Sequence, residues 1–363
     1  MTTVAQFTIK FRQTLNACGQ LNSAVGDLSQ HGIGNKMLLR FYRAMHYARL
    51  FDTKAIALQR TGRLGTYASC LGQEAIGAAV GVAMKDSDVF VQSYRETTTL
   101  LERGVKAEEI LLYWGGDERG MDFAHARQDM PAAVPIASQC CHSVGIAYAL
   151  QLRKQPRVAV VMLGDGATSK GDFYESLNAA GVWQLPLVFI ICNNQWAISL
   201  PRSAQSHCQT LAQKAIAGGI SAEQVDGNDV IGSYLAVNKA IENARAGNGP
   251  HLIEALTYRL SDHTTADDAQ RYRSEQELAE AWQQEPIARL TSYLLQQQIA
   301  DQQQLDGIDQ KCQQQLDQSV DKYLNAGEQQ HSSIFDFLYQ KMPKQLRQQL
   351  SQLHKNNQSG GGE

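Results

Sequence analysis

The sequence lacks the marks of several large function classes. Its seven cysteines (Cys18, Cys70, Cys140, Cys141, Cys192, Cys208 and Cys312) include no CxxC pair, which argues against zinc-ribbon and dithiol-redox frameworks. Their odd number and scatter point to reduced thiols in a cytoplasmic protein. The adjacent Cys140 and Cys141 read as small residues of a helix. No apolar run reaches the roughly 18 residues of a membrane-spanning helix. The stretch MTTVAQFTIKFRQTLNACG holds no uninterrupted signal-peptide core, and Lys10 and Arg12 are its only basic residues. A net charge of −3 and a pI near 6.3 give no basic surface for nucleic acid. There is no Walker-type loop, no GxGxxG and no Ser-His-Asp grouping. His31, His46, His125, His142, His207, His251, His331 and His354 follow no metal-ligand spacing, and Asp267-Asp268 reads as loop capping and ion pairing.

What remains is a chain of 363 residues, 43% of them hydrophobic, enough for one large domain or two ordinary ones. Residues 1–35 read as an extended arm. Apolar periodicity predicts a buried helix over 37–59, a helix of small residues over 72–84, and further helices over 139–152 and 230–246. Short apolar runs at 88–92, 158–163, 187–192, 218–225 and 252–260 read as strands. Helices alternating with such runs predict an α/β domain over 36–274, doubly wound, with a largely parallel sheet. After 274 glutamine becomes frequent and strand patterns stop. Helices are expected over 275–298, 302–325 and 334–352, forming a helical C-terminal extension over 275–355, with a flexible tail at 356–363. The polar, charged loop 261–275 is expected to be mobile until a ligand orders it.

The most informative stretch is 164–196, GDGATSKGDFYESLNAAGVWQLPLVFIICNNQW. One apolar run leads into Gly164-Asp165-Gly166 and a second into Asn193-Asn194, with 26 residues between the two motifs. Two parallel strands would present, at their carboxyl ends, an acid between glycines and an amide pair. A carboxylate and an amide oxygen are hard donors that suit magnesium, an ion usually shared with substrate phosphates. Gly164 and Gly166 are expected to let the backbone turn sharply and approach those phosphates closely.

GDG followed by NN resembles the signature of thiamine diphosphate enzymes. Further segments, in order, carry the likeness: GRLGTY (62–67), GQEA (72–75), SYRE (93–96), PIASQ (135–139), CNNQWAIS (192–199), VDGND (225–229), TYRLSDHTTADDAQRYRS (257–274) and YQKMPKQLRQQ (339–349). Over about 35–350 the chain resembles the alpha subunit of the thiamine diphosphate-dependent decarboxylase of 2-oxo acid dehydrogenase complexes. The resemblance implies the thiamine diphosphate-binding fold.

It also implies roles. Asp165, the Asn194 side chain and the Trp196 backbone carbonyl would hold Mg2+. Gly164, Gly166 and Ala167 would border the diphosphate. Tyr94 and Arg95 would contact the cofactor, Arg95 through a guanidinium fork that pairs with phosphate oxygens. Ile136 would wedge under the cofactor and help hold it bent. Ser138 and Gln139 lie where some relatives bind K+. His263 would touch the diphosphate, face the substrate channel and act in catalysis, positioning substrate or acceptor. The phosphorylated serine of mitochondrial relatives is replaced by Thr264.

The implied activity is oxidative decarboxylation of a 2-oxo acid, with acyl transfer to a lipoyl group of a partner acyltransferase. The overall look favours the bacterial pyruvate dehydrogenase type. The branched-chain 2-oxo acid type shares much of the 257–274 loop and the tail, and acetoin dehydrogenase alpha is a third relative. A non-catalytic paralogue is the alternative of another class, and retention of Arg95, Asp165, Asn194 and His263 argues against it. With no second α/β module after 274, the pyrimidine side of the cofactor site is expected from a beta subunit, in an α2β2 heterotetramer. The helices over 72–84 and 172–180 are its expected contact faces. Neither nucleic acid nor membrane is an expected partner.

Overall fold

The computed structural model describes residues 1–336 and 338–359. Strand β1 (Lys10–Arg12) opens the chain, followed by helices α1 (Asn35–Arg60) and α2 (Glu74–Ala83) and strand β2 (Val89–Val91). Helices α3 (Thr97–Glu102), α4 (Ala107–Trp114) and α5 (Ser138–Leu152) lead to β3 (Ala159–Gly164), α6 (Gly171–Trp183) and β4 (Leu187–Asn193). A two-stranded ribbon, β5 (Trp196–Ala197) with β6 (Leu200–Pro201), and the turn α7 (Arg202–Gln205) precede β7 (Ser221–Asp226), α8 (Val230–Arg245) and β8 (His251–Leu256). Helices α9 (Glu275–Trp282), α10 (Pro286–Gln296), α11 (Gln302–Leu324) and α12 (Lys344–Ser359) complete the described chain.

The main sheet has six strands in the order β1-β7-β8-β4-β3-β2, and every pair in it is parallel. The protein is thus an α/β fold with helices on both faces. Side chains alternate across a strand. Val160, Met162, Val188, Ile190 and Ile253 face one core, with α1, α2 and α8. Val161, Leu163, Phe189, Ile191 and Leu252 face the other, with α5 and α6. Both faces are covered, so the strands read as unbroken apolar runs instead of an alternating pattern. Every crossover is parallel, and all carboxyl ends therefore open at one edge of the sheet, where such folds bind ligands.

The structure refines the sequence expectations in several places. The segment 1–35 is tied down: β1 pairs with β7, and the Thr14 and Leu15 amides donate to Asp229 at 2.6 and 2.9 Å. The helix expected over 275–298 is two helices. Glu285 caps the second through the Ile287 and Ala288 amides, and Pro286 takes its first position, a residue that starts helices well and continues them badly. The helix expected from 334 begins at Lys344, just after Pro343. Residues 356–359, expected as tail, continue α12; 360–363 lie outside the described residues.

The small-residue helix α2 is not a contact face for a second polypeptide. Residues 74–81 are all buried in this chain. A Cβ at Gly77 would sit 2.7 Å from the Thr98 Cβ, and one at Gly81 would sit 2.7 Å from the Glu102 Cβ. The small side chains admit α3 instead. Leu290, Leu294, Leu305, Leu316 and Val320 of the C-terminal helices join the core around α1. Among the described residues no helix is long and apolar enough to cross a membrane.

Candidate functional site

β3 ends at Gly164 and the chain enters a 3-10 turn, Asp165–Ser169, that keeps Asp165 98% buried (2% exposed) at the strand end. Its Oδ2 accepts one hydrogen bond, from Gln205 Nε2 at 2.9 Å. Burial pushes its carboxyl above the ordinary range, outweighing the hydrogen bonds it accepts and the Arg259 charge, as expected of an anion removed from water without an ion-pair partner. At the end of neighbouring β4 the two amides diverge. Asn193 turns inward and donates to Glu254 Oε1 at 2.7 Å. Asn194 turns to the cavity, its Nδ2 donating to Gln73 Oε1 at 3.0 Å. That bond orients the amide, and the carbonyl oxygen accepts only a 3.3 Å contact from the Trp196 amide. The Trp196 carbonyl accepts from Arg259 Nη1 at 3.4 Å.

The two glycines differ from expectation. Neither adopts a positive φ. A Cβ at Gly166 would meet the Ala197 Cβ at 2.7 Å, so glycine is needed there for a close approach. Around Gly164 there is open space.

Across the cavity, Arg95 Nη2 donates to the His263 carbonyl at 2.9 Å and to His263 Nδ1 at 3.1 Å, and Nη1 donates to the Ser69 carbonyl. A guanidinium only donates. Nδ1 is therefore the acceptor, and the ring proton sits on Nε2. Burial first, then the Arg95 and Arg259 charges, push the His263 pKa down to about 4. At neutral pH His263 offers one N–H and no positive charge. Tyr94 meets its ring edge-on at 6.2 Å, and the Arg95 guanidinium lies 5.7 Å from the Tyr94 centroid.

The sequence reading missed Arg259. It is fully buried, four residues before His263, and donates to the Ile198 carbonyl at 3.0 Å and to the Tyr272 hydroxyl at 2.6 Å. Its signal was a lone arginine continuing an apolar strand run, where a charge needs a reason. Gln73 and Gln205 were missed as well, the first inside the GQEA stretch.

The loop 261–275, expected to be mobile until a ligand orders it, carries a hydrogen-bond network of its own. Thr265 N donates to the Tyr67 carbonyl at 2.9 Å, His263 N to Asp267 Oδ2 at 2.8 Å and Ala269 N to Asp262 Oδ1 at 3.0 Å. The Tyr272 hydroxyl also donates to Asp267, and Arg273 donates to the Arg259 carbonyl. Asp267 thus serves as a loop cap.

Every residue singled out from the sequence lines one cavity of about 1160 Å³, from Tyr94 and Arg95 through Ile136, Ser138 and Gln139 to Gly164–Ala167, Asn194, Trp196 and His263. Ile136 is 45% exposed toward this space. Gln139 donates to the Met162 carbonyl at 3.2 Å, while its buried Oε1 has no partner. Three non-glycine residues with left-handed backbone surround the site: Ala137 (φ 71°), Gln195 (φ 72°) and Ile198 (φ 55°). Such strain costs about 1–3 kcal/mol per residue and gathers at functional sites. No cluster of three or more His, Cys, Asp or Glu side chains fit for a metal occurs among the described residues. The donor set here is one carboxylate, one amide oxygen and backbone, a combination that favours a hard cation shared with a ligand over a site built from protein groups alone.

Residues 42–332 match the Dehydrogenase E1 component family. The alpha subunit of the pyruvate dehydrogenase E1 component of Mycoplasma genitalium is 38% identical, across 87% of this chain and 88% of its own length. The same subunit of Acholeplasma laidlawii is 37% identical, across 92% and 97%. The alpha subunit of 3-methyl-2-oxobutanoate dehydrogenase of Mycobacterium tuberculosis is 38% identical, across 86% and 85%.

Proposed function

Since the chain belongs to the dehydrogenase E1 component family, we propose that it is the alpha subunit of a pyruvate dehydrogenase, decarboxylating the 2-oxo acid with thiamine diphosphate and passing the acyl group to a lipoyl acyltransferase. The observation that carries this reading is the pairing of buried Asp165 and Asn194, at the ends of adjacent parallel strands, with Arg95 and His263 across one cavity. The relatives that share its length are named for the pyruvate and the branched-chain reactions.

The residues fit the cofactor. Asp165 has no ion-pair partner among the described residues, and Asn194 is held with its carbonyl oxygen turned out by Gln73. These two, with the Trp196 carbonyl, would hold Mg2+, and the open space at Gly164 admits phosphate oxygens. Thiamine diphosphate, when bound, supplies the carbanion-stabilising chemistry that decarboxylation requires. This chain's residues bind and orient. Arg95 would pair with the diphosphate, and Gln205, which donates to Asp165 Oδ2, would orient that carboxylate toward the metal. His263, neutral with its proton on Nε2, donates one hydrogen bond at the boundary between diphosphate and substrate. Ile136 presents an apolar surface in the middle of the cavity. The unpartnered Gln139 Oε1 supports a K+ ion there, with Ser138.

The described chain carries one α/β sheet, and the pyrimidine half of the site is assigned to a beta subunit in an α2β2 assembly. Seven cysteines without a disulfide support a cytoplasmic location. The test is reconstitution. The isolated chain, with thiamine diphosphate and magnesium, should release no CO2 from pyruvate, and adding the beta subunit should start it. Robust decarboxylation by the isolated chain would overturn the reading. A reconstituted enzyme that prefers 3-methyl-2-oxobutanoate would move it to the branched-chain type.

A further inference from the structure

Arg95, His263, Asp165 and Asn194 share the cavity with Thr66, Tyr94, Tyr113, Trp114, Gly115 and Val134, a stretch of wall without a carboxylate, amine or guanidinium. With the diphosphate held at the strand ends under the proposed function, this uncharged wall would be left to the reactive end and the substrate. The acyl chain of the acid is the part that varies between substrates of the class, and it is apolar. Its size limit is therefore set by whichever part of this wall cannot yield.

Trp114 is that part. Its ring stands edge-on to Tyr67 at 5.5 Å and to Tyr113 at 5.3 Å. Tyr67 is fully buried and its hydroxyl donates to Asp52 at 2.7 Å, so the backing is rigid. Tyr67 is also bonded in both directions to Thr265, its amide to Oγ1 at 3.0 Å and its carbonyl to the Thr265 amide at 2.9 Å. That link places the Trp114 wall beside the loop that carries His263. The Trp114 carbonyl accepts from the Gly65 amide at 3.1 Å, and a Cβ on Gly65 would lie 2.6 Å from that oxygen. From outside, Tyr323 of α11 donates to the Arg63 carbonyl at 2.6 Å, and its hydroxyl would lie 2.6 Å from a Cβ on Gly115. One side chain of the C-terminal helices thus pins the turn before Gly65 and the residue after Trp114.

We propose that Trp114 determines which 2-oxo acid is accepted, by limiting the acyl chain to a short one, and that Tyr323 is the positioning residue that holds it. This rests on the proposed function and deepens it. Tyr67 and Tyr113 back the Trp114 ring, so a branched chain would meet a supported ring.

The experiment measures kcat/KM of the enzyme reconstituted with its beta subunit, on pyruvate and on 3-methyl-2-oxobutanoate. It compares wild type with Trp114→Val, Trp114→Phe and Tyr323→Phe, each checked for assembly by gel filtration. Wild type should prefer pyruvate. Trp114→Val should raise the branched-to-pyruvate ratio by about 10-fold or more, the scale on which a pocket discriminates methylene groups. Trp114→Phe should fall between the two and carries the test if the valine variant does not assemble. Tyr323→Phe should raise KM about threefold with kcat held, and shift the ratio in the same direction; a purely structural role would lower the yield of assembled enzyme and leave the ratio alone. Unchanged ratios in assembled variants would overturn the proposal while leaving the proposed function intact, as would a wild type that favours the branched acid. A reconstituted wild type that decarboxylates neither acid overturns both.

Discussion

The two ends of the same parallel sheet treat buried charge in opposite ways. At the amino end of β2, Asp88 receives both Arg245 nitrogens at 2.8 Å and the Val158 and Lys85 amides at 3.0 and 2.9 Å. Beside it Arg103 grips both carboxylate oxygens of Asp129, and both partners are almost wholly buried. Asp88 is held below the ordinary carboxylate range despite the burial penalty, through those hydrogen bonds and the Arg245 charge. At the carboxyl ends, Asp165 is pushed the other way by burial, with hydrogen bonds from Gln205 and the neighbouring backbone but no ion-pair partner. Arg95 and Arg259 lean on carbonyls and a neutral imidazole, and among the described residues neither is ion-paired to a carboxylate. The positive-φ residues Ala137, Gln195 and Ile198 are at this end too. At the amino end charge is matched within the chain; in the cavity it is not, and under the proposed function that leaves it to a ligand. Asp88 and Asp165 are the same residue type in the same sheet, and only the presence of an internal partner separates their roles.

Four measurements would break or sharpen that contrast. The largest effect is expected from Asp165→Asn. In the reconstituted protein, magnesium-dependent affinity for thiamine diphosphate should fall on the order of 1000-fold, because neutral ligands do not replace the carboxylate. Stability toward urea without cofactor should hold or rise, since a buried uncompensated charge is gone. Retained affinity by calorimetry would remove Asp165 from the ligand-reserved class. The reverse result is expected of Asp129→Ala. Leaving Arg103 buried and unpaired should destabilise the fold by about 3–5 kcal/mol, read from urea unfolding, with cofactor affinity of the assembled enzyme unchanged. Loss of affinity without loss of stability would show that the two ends are not separable.

His263→Ala comes next, with overall turnover lowered about 100-fold and cofactor affinity reduced less than in Arg95→Ala. Near-normal turnover would refute a direct role. The smallest effect is in pH. The folded pKa of His263, about 4, lies below its unfolded value of 6.5. Its contribution to stability is therefore present above pH 6.5 and is lost as pH falls from 6.5 toward 4. His46 and His251 are also depressed by burial, so the readout is the difference between wild type and His263→Gln. The variant should show a shallower fall of the urea midpoint across that window, and identical slopes would mean that His263 is not held neutral by the fold.

Much of this was legible in the sequence, for identifiable reasons. β3 and β4 stand out because a strand buried on both faces writes itself as an apolar run, and Asp165 and Asn194 follow those runs directly. What escaped was whatever depends on partners far along the chain. Three residues of β1 carry no pattern, and they become a strand only because β7 offers an edge. The helix α2 was found, but its small residues point at α3 and not at another subunit, a distinction that periodicity does not encode. Arg259 was absorbed into the strand run 252–260, while its carbonyl partners, Trp196 and Ile198, come from a turn far back in the chain. The break at Glu285-Pro286 is a helix-start signal on both sides; it was overridden by the apolar spacing of Ile287, Leu290 and Leu294, which belongs wholly to the second helix.

The edge strand β1 has a consequence for the order in which the chain is made. Arg12 bonds Glu223, 211 positions later, and the Leu15 carbonyl accepts from Arg289, 274 positions later. At ribosomal rates of about 5–20 residues per second, β1 waits roughly 10 to 40 s for its partner strand and longer for the arginine that fastens it. Throughout that interval Phe7 and Phe11, still exposed in the finished fold, belong to an emerged segment with nothing to pair against. A strand made early is thus among the last to be seated, and during synthesis it depends on whatever shields nascent strands.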